Sequence, residues 1–443
     1  MGMSLRNELE PLLTTLWQAA DSACRGEQLS DPTNPAYAKW AEESLTALHE
    51  DLSSLVARFR GYYSLDGNDL DPVSGQFAGP SDLWESPMGL SVFCSVARAA
   101  DRVDDVQKLI DIGHWAGGGA DSYYHNFLSP FKQTAATHVA CAREMAIGAK
   151  ALSDAVERAK ECVVWICKDV INRLGGGGHP GPLPGEEQGG FKEHAGLAAI
   201  LADAVSFFRT VTMPEGKVVD AALALIGTGG GLIAESKTPS HELHIGVSPS
   251  PSARGLVVNT GVSLDRLNVN IAELDEKVAR GLETDLGSSG PFGSAFARIR
   301  NPHLDPSAFR QLTFKQGDHS DKDAVVVDLV QLYYAGYHTL PQAAREYDSG
   351  RRICFGAHID GAEHQFPRAA GKYNEALETF GGLLSAVRDE LTESGEAIVA
   401  AARAYRDADE WEAERIRKLE NEIPPPGSFT GADHYTPPSW LRL

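Results

Sequence analysis

Residues 145–174 read MAIGAKALSDAVERAKECVVWICKDVINRL, and the fold follows from their periodicity. Met145, Ala149, Leu152, Val156, Ala159, Val163, Ile166 and Val170 alternate steps of four and three. That spacing keeps them on a single helical face as a heptad seam, and a seam of this length needs a long apolar partner. Further on, Leu377, Phe380, Leu384, Val387, Leu391, Ile398, Ala402 and Tyr405 repeat the pattern, with Ile398 in register with Leu391. The seams 145–170 and 377–405 are expected to pack against each other.

Working outward, Leu5, Leu9, Leu12, Leu16 and Ala20 step by three or four, as do Leu45, Leu48, Leu52, Leu55 and Phe59. Val103, Val106 and Ile110 mark another helix, ended by Gly117, Gly118 and Gly119. The stretch GGGGHPGPLPGEEQGG, residues 175–190, reads as a linker. Between 191 and 320 the signals are mixed. Phe191–Val211 and Leu264–Leu286 look helical, whereas 242–247 and 255–262 are β-compatible. The expected fold is mainly α: an elongated bundle of long amphipathic helices with a mixed insertion in the middle. Its regions are an N-terminal helical region (1–174), the linker (175–190), the mixed insertion (191–320), a C-terminal helical region (321–420) and a Pro-rich tail (421–443).

The 443 residues carry 61 Asp+Glu against 40 Lys+Arg, a formal charge of −21. That surplus repels a phosphate backbone and supplies no polybasic membrane anchor, so no nucleic-acid partner is expected. No run approaches the roughly 18 apolar residues of a membrane-spanning helix. The opening residues, MGMSLRNELEPLLTTLWQAADSA, lack a basic segment leading into an apolar one, the mark of a Sec signal peptide. Six cysteines without a CxxC pair are too sparse for a disulfide framework and read as buried thiols.

Catalytic motifs are weak. HELH sets His241 and His244 three apart, where a zinc protease needs two histidines four apart on a helix. HIDGAEH gathers His358, Asp360, Glu363 and His364, all metal-capable, in a turn-rich stretch. SLDGNDLDPVSG, residues 64–75, lacks the ligand order of an EF-hand. GTGGG, residues 227–231, follows an apolar run as a phosphate-cradling turn would; it is not GxGxxG, no GK[ST] follows, and a tight turn is the plainer reading. No catalytic residue, resident metal or cofactor is expected. The alternative is an enzyme, a metal-dependent hydrolase with its chemistry in 191–366.

The remaining signal is one of placement. Trp115, Ala116 and Gly117 form a WxG tripeptide in a turn between two long amphipathic helices. Tyr405 is followed four residues on by Asp409, a YxxxD pattern at the end of another long helix. Tyr62 and Asp66 share that spacing before a loop, so position on the helix carries the weight. With WAGGGADSYYHNF (115–127) and LTESGEAIVAAARAYRDADEW (391–411), the chain resembles the WXG-type (ESX) family of type VII secretion substrates of actinobacteria. The resemblance covers about 82–173 and 368–420.

The resemblance implies two helical hairpins paired in a four-helix bundle. The WxG turn of one then lies beside the YxxxD tail of the other, and together they form the export signal. On that basis Trp115 and Gly117 are the turn element, and Tyr405 and Asp409 the tail element. It also implies a type VII secretion ATPase or chaperone as partner, and a secreted or cell-surface location reached without a Sec signal peptide. This chain is far longer than the small members, so it is expected to fuse into one polypeptide what they achieve by pairing two. The expected function is a non-enzymatic exported effector, assembly component or toxin-carrying scaffold, with self-assembly open through residual apolar faces. A cytoplasmic helical adaptor is the other non-enzymatic reading.

Overall fold

The computed structural model describes residues 4–28, 35–66, 70–77, 91–113, 115, 118–178, 197–210, 230–239, 243–299 and 328–408. Among them the chain is mainly helical and no β-strand occurs. In order come α1 (Leu5–Gln28), α2 (Pro35–Gly61), α3 (Asp71–Phe77), α4 (Val92–Asp111), α5 (Gly118–Tyr123), α6 (Ser129–Leu174), α7 (Leu197–Thr210), α8 (Gly231–Glu235), α9 (Ala253–Leu286), α10 (Leu329–Tyr334), α11 (Leu340–Phe355) and α12 (Pro367–Ala408). π-helical turns at Tyr124–Leu128 and Ala335–Thr339 join α5 to α6 and α10 to α11. One cause serves both. Pro130 and Pro341 lack the N–H that would bond four residues back, and their rings crowd that carbonyl, so the preceding turn widens.

Four helices form an up-and-down ring. α4 and α6 are joined through the turn that holds Trp115, and Lys132 meets Asp104 across them at 2.9 Å. α4 runs antiparallel to α11: Gly350 lies against Val92 and Ser95, while Arg98 and Arg102 reach Glu346 at 2.9 and 3.5 Å. α11 runs antiparallel to α12, where Cys354 Sγ donates to Leu377 O at 3.4 Å and Arg388 meets Asp348 at 3.3 Å. α12 closes the ring against α5 and α6, with Ser394 opposite Tyr123, Phe380 against His138, and the Tyr373 ring over Gly148.

Around this ring, α9 packs along both α6 and α12, and α1, α3 and α7 cover more of α6. α2 lies against α1 and α9. Their inward faces make one continuous apolar core from Leu5 to Ala402, and each fully buried large side chain contributes about 1.5–3 kcal/mol. All six cysteines are buried free thiols. Among the described residues no helix is long and apolar enough to cross a membrane.

Two features differ from the expectation. The seams 145–170 and 377–405 do not lie along each other. Tyr373, near the start of α12, already sits at Gly148, so little of α12 remains to cover 150–170. α1, α7 and α9 pack on α6 as well, and in its second half Lys168 meets Glu8 of α1 at 3.4 Å. Residues 255–262, β-compatible by composition, lie inside α9. Ser252 starts that helix by accepting from the Gly255 N–H at 3.1 Å, and Leu256, Val257 and Thr260 face the core. Burial of a helical face overrides local β preference here. The other described elements of 191–320 include α7 and α8. Residues 243–250 are irregular and are pinned to α6 where Asp169 accepts from the Val247 N–H at 3.0 Å.

Candidate functional site

At the end of α4 the Ile112 N–H bonds back to Lys108 O at 3.0 Å, and Gly113 takes φ +76°, a left-handed conformation that glycine adopts without strain. The chain therefore turns. Trp115 follows, its N–H donating to Leu109 O at 3.0 Å and its ring only 1% exposed. The indole lies 5.3 Å from the Tyr123 ring, and Phe127, Phe131 and Tyr347 continue an aromatic ladder into the bundle. Tyr123 Oη and Ser394 Oγ share a hydrogen bond at 2.9 Å. Burial pushes the Tyr123 hydroxyl far above its ordinary range, so it stays neutral. Gly336 and Gly395 bring the π turn and α12 together: a Cβ at either would lie 2.7 Å from the other's carbonyl oxygen.

Trp115 is thus a core residue that anchors the turn. Gly117 and Asp409 lie outside the described residues. Tyr405 belongs to α12, but its side chain lies outside them. α12 continues from Ser394 to Ala408, so its last turns run past the Trp115 turn at the same end of the bundle. Of the metal-capable candidates, His358, Glu363 and His364 are exposed. His244 is half-buried, and its carbonyl accepts from Arg266 Nη1 at 3.2 Å. His241 and the Asp360 side chain lie outside the described residues. Among the described residues no group of three or more His, Cys, Asp or Glu is placed to hold a metal.

The core holds a polar feature that no motif announces. Glu144 on α6 and Asp285 on α9 are both buried and lie side by side. Asp285 Oδ1 accepts from the Gly231 N–H at 2.5 Å and so caps α8. Gly230 presses on the same group, since a side chain there would collide with the Glu144 carboxyl. Glu144 Oε2 and Asp285 Oδ2 receive no hydrogen bond from any other donor. Burial first, then the charge of Asp285, raises the Glu144 carboxyl well above its ordinary range, and burial raises Asp285 as well. Shared burial therefore favours a pair that keeps a proton past the ordinary carboxylate range.

This geometry explains the glycines at the end of GTGGG. They fit a tight approach to two carboxyl groups, a setting that repels phosphate. The signal that would have found the pair lies just upstream of the quoted seam: Thr134, His138, Cys141 and Glu144 step by four, three and three along the core face of α6. His138 Nε2 donates to Ala297 O at 2.9 Å, and burial lowers this ring to about 4, so it stays neutral. Burial first, and then the neighbouring Asp285 and Glu144 carboxyl pair, pushes the Cys141 thiol well up, which leaves it an unreactive thiol. No protein-family model, curated protein or solved structure matches the chain.

Proposed function

We propose that the protein is a type VII secretion substrate that acts outside the cell, or at its surface, as a non-enzymatic effector, assembly component or toxin-carrying scaffold. One observation carries the reading. Trp115 packs on Tyr123, whose hydroxyl bonds Ser394, and α12 runs on from Ser394 to Ala408, so its last turns extend from the end of the bundle that holds the Trp115 turn. An antiparallel ring of α4, α6, α12 and α11 is also the arrangement that the resemblance to WXG-type proteins calls for. In this reading Trp115 anchors the turn from inside. Tyr405 and Asp409, one helical turn apart, offer a ring and a carboxylate to the groove of a type VII ATPase or chaperone. The net charge of −21 keeps the cargo soluble on both sides of the machine.

The test is an immunoblot of culture filtrate and cells, with and without the type VII ATPase, for the natural chain and for Tyr405→Ala. The protein is expected in the filtrate only when the ATPase is present. The Tyr405→Ala chain is expected to stay in the cells while keeping its helical circular dichroism. Export that continues without the ATPase, or that Tyr405→Ala leaves intact, overturns the assignment.

A further inference from the structure

The outer face of α9 concentrates exposed apolar surface. Among the described residues seven large apolar side chains stand well out into solvent, and three of them, Val258 (50% exposed), Val262 (43%) and Val269 (50%), share that face. A fourth, Leu243 (42%), is tied to the helix through Asn270, which accepts from the Leu243 N–H at 2.8 Å and donates to its carbonyl at 2.9 Å. Scattered exposed valines need no explanation, but an ordered row of them does.

The row is ordered. Arg254, Val258, Val262, Asp265, Val269, Ala272 and Glu276 are all exposed and step by four, four, three, four, three and four. α9 therefore carries two seams, an inner one in the core and an outer, exposed one whose charged members already hold partners in the chain: Arg254 meets Asp51 and Asp265 meets Arg58, both on α2, and Glu276 meets Arg280 and Arg368. The outer seam is self-complementary when read backwards. In an antiparallel pairing with itself, Arg254 meets Glu276, Val258 meets Ala272, and Val262 meets Val269. Each of these contacts occurs twice. Asp265 falls on the two-fold axis, where the Arg58 of its own chain is already ion-paired with it. Antiparallel helices also place opposite dipole ends together.

We propose that this face of α9 binds a second copy of the chain as a two-fold antiparallel helix pair. The residues 254–276 span about 33 Å at 1.5 Å per residue. A strip about 10 Å wide then buries on the order of 650 Å² in total, below the roughly 1,200 Å² of a stable complex. The dimer is accordingly weak and reversible. Each copy carries −21, so pairing strengthens as salt screens the long-range repulsion, up to the point where the Arg254–Glu276 contacts are screened as well. The inference is independent of the export reading.

Sedimentation velocity on the full chain, from about 5 to 200 μM in about 0.15 M salt, tests it. The natural chain is expected to move from monomer to dimer over that range. Val262→Asp is expected to raise the dissociation constant at least about tenfold. Arg254→Glu and Glu276→Arg supply the decisive arm. Each variant alone faces like charges and stays monomeric, while a mixture of the two restores both pairs and forms a heterodimer. Circular dichroism confirms that all three variants fold. A natural chain that stays monomeric throughout, a Val262→Asp chain that dimerises as well as the natural one, or a mixture that fails to associate overturns the proposal.

Discussion

Four helices begin against a carboxylate supplied from elsewhere in the chain. Asp66 accepts from the N–H groups of Leu5 and Arg6 at 2.8 and 3.1 Å, and Glu27 from Ala253 at 2.6 Å. Asp275 accepts from Ala369 and Arg368 at 2.8 and 3.3 Å, and Asp285 from Gly231 at 2.5 Å. Each satisfies donors that have no partner within the helix and sets negative charge at the positive end of its dipole. Part of the acidic surplus is therefore structural. At Asp66 burial raises the carboxyl, but the Ser4 hydroxyl and the two N–H groups outweigh it and the net shift is down. At Asp285 burial beside Glu144 outweighs the same kind of hydrogen bond, and the net shift is up, to about 6. A carboxyl raised in the folded state keeps its proton after the unfolded chain has released it. Below about pH 4 both states are protonated and the pair has no effect on stability. Above that, stability falls as the pH climbs through the raised value of Asp285 and on toward that of Glu144. Glu144→Gln keeps the shape and the donor but cannot ionise. Urea melts from pH 4 to 8 are expected to show the variant gaining on the natural chain as pH rises, reaching about 1–3 kcal/mol at pH 8. Parallel profiles, or a variant less stable at pH 8, would exclude this account of the pair.

At the scale of the helices, existence and partnership separate. The rows Leu5–Ala20, Leu45–Phe59, 145–170 and 377–402 all lie in helices with their apolar residues mostly turned inward. A seam states that a partner is needed and not which one. The crossings are set by residues outside any period: Gly148 beneath the Tyr373 ring, and Gly336 against Gly395. The β-branched run Val257, Val258 and Val262 hid the start of α9, because the same residues suit a strand. Glu144 was hidden for the opposite reason, since a carboxylate in a helical sequence reads as solvent-facing and only its register with Thr134, His138 and Cys141 marks it as inward. That the chain breaks near Trp115 was legible, but not how: Gly113 ends α4, whereas Gly118 and Gly119, expected to stop it, open α5; the link to Ser394 was not legible, since that contact depends on how far α12 slides along α6. The glycine crossing makes a prediction with opposite signs. A Cβ at Gly336 lies 2.7 Å from Gly395 O and 2.8 Å from Ile398 Cγ2, and a backbone oxygen has no rotamer to move to. Gly336→Ala is expected to cost about 1–3 kcal/mol. Gly371, also in a helix, has nothing within 4 Å of that position, so Gly371→Ala is expected to add up to about 1 kcal/mol through helix propensity. Urea midpoints measure both. Shifts of the same sign in the two variants would mean that propensity, not close approach, governs the crossing.

Over the whole molecule, α6 is a wall shared by both halves of the chain. It belongs to residues 1–174, yet α7, α9 and α12, which bury much of it, come after the Gly/Pro-rich stretch 175–190. The core runs unbroken across that division. Neither half can bury its apolar faces alone: residues 1–182 would expose the core side of α6, and 183–443 the inner faces of α9 and α12. A tether between them raises their effective concentration, to the order of millimolar. A split in the linker should therefore be tolerated if both pieces are present. Fragments 1–182 and 183–443 expressed together are expected to purify as a one-to-one complex with the helical signal of the intact chain. Expressed apart, each is expected to aggregate, or to bind a hydrophobic dye and melt without a cooperative transition, as chains do when secondary structure persists without fixed packing. Two fragments that each give a folded monomer with a sharp melting transition would show instead that the chain is built from two domains, and that the interfaces of α6 with α9 and α12 contribute little to either.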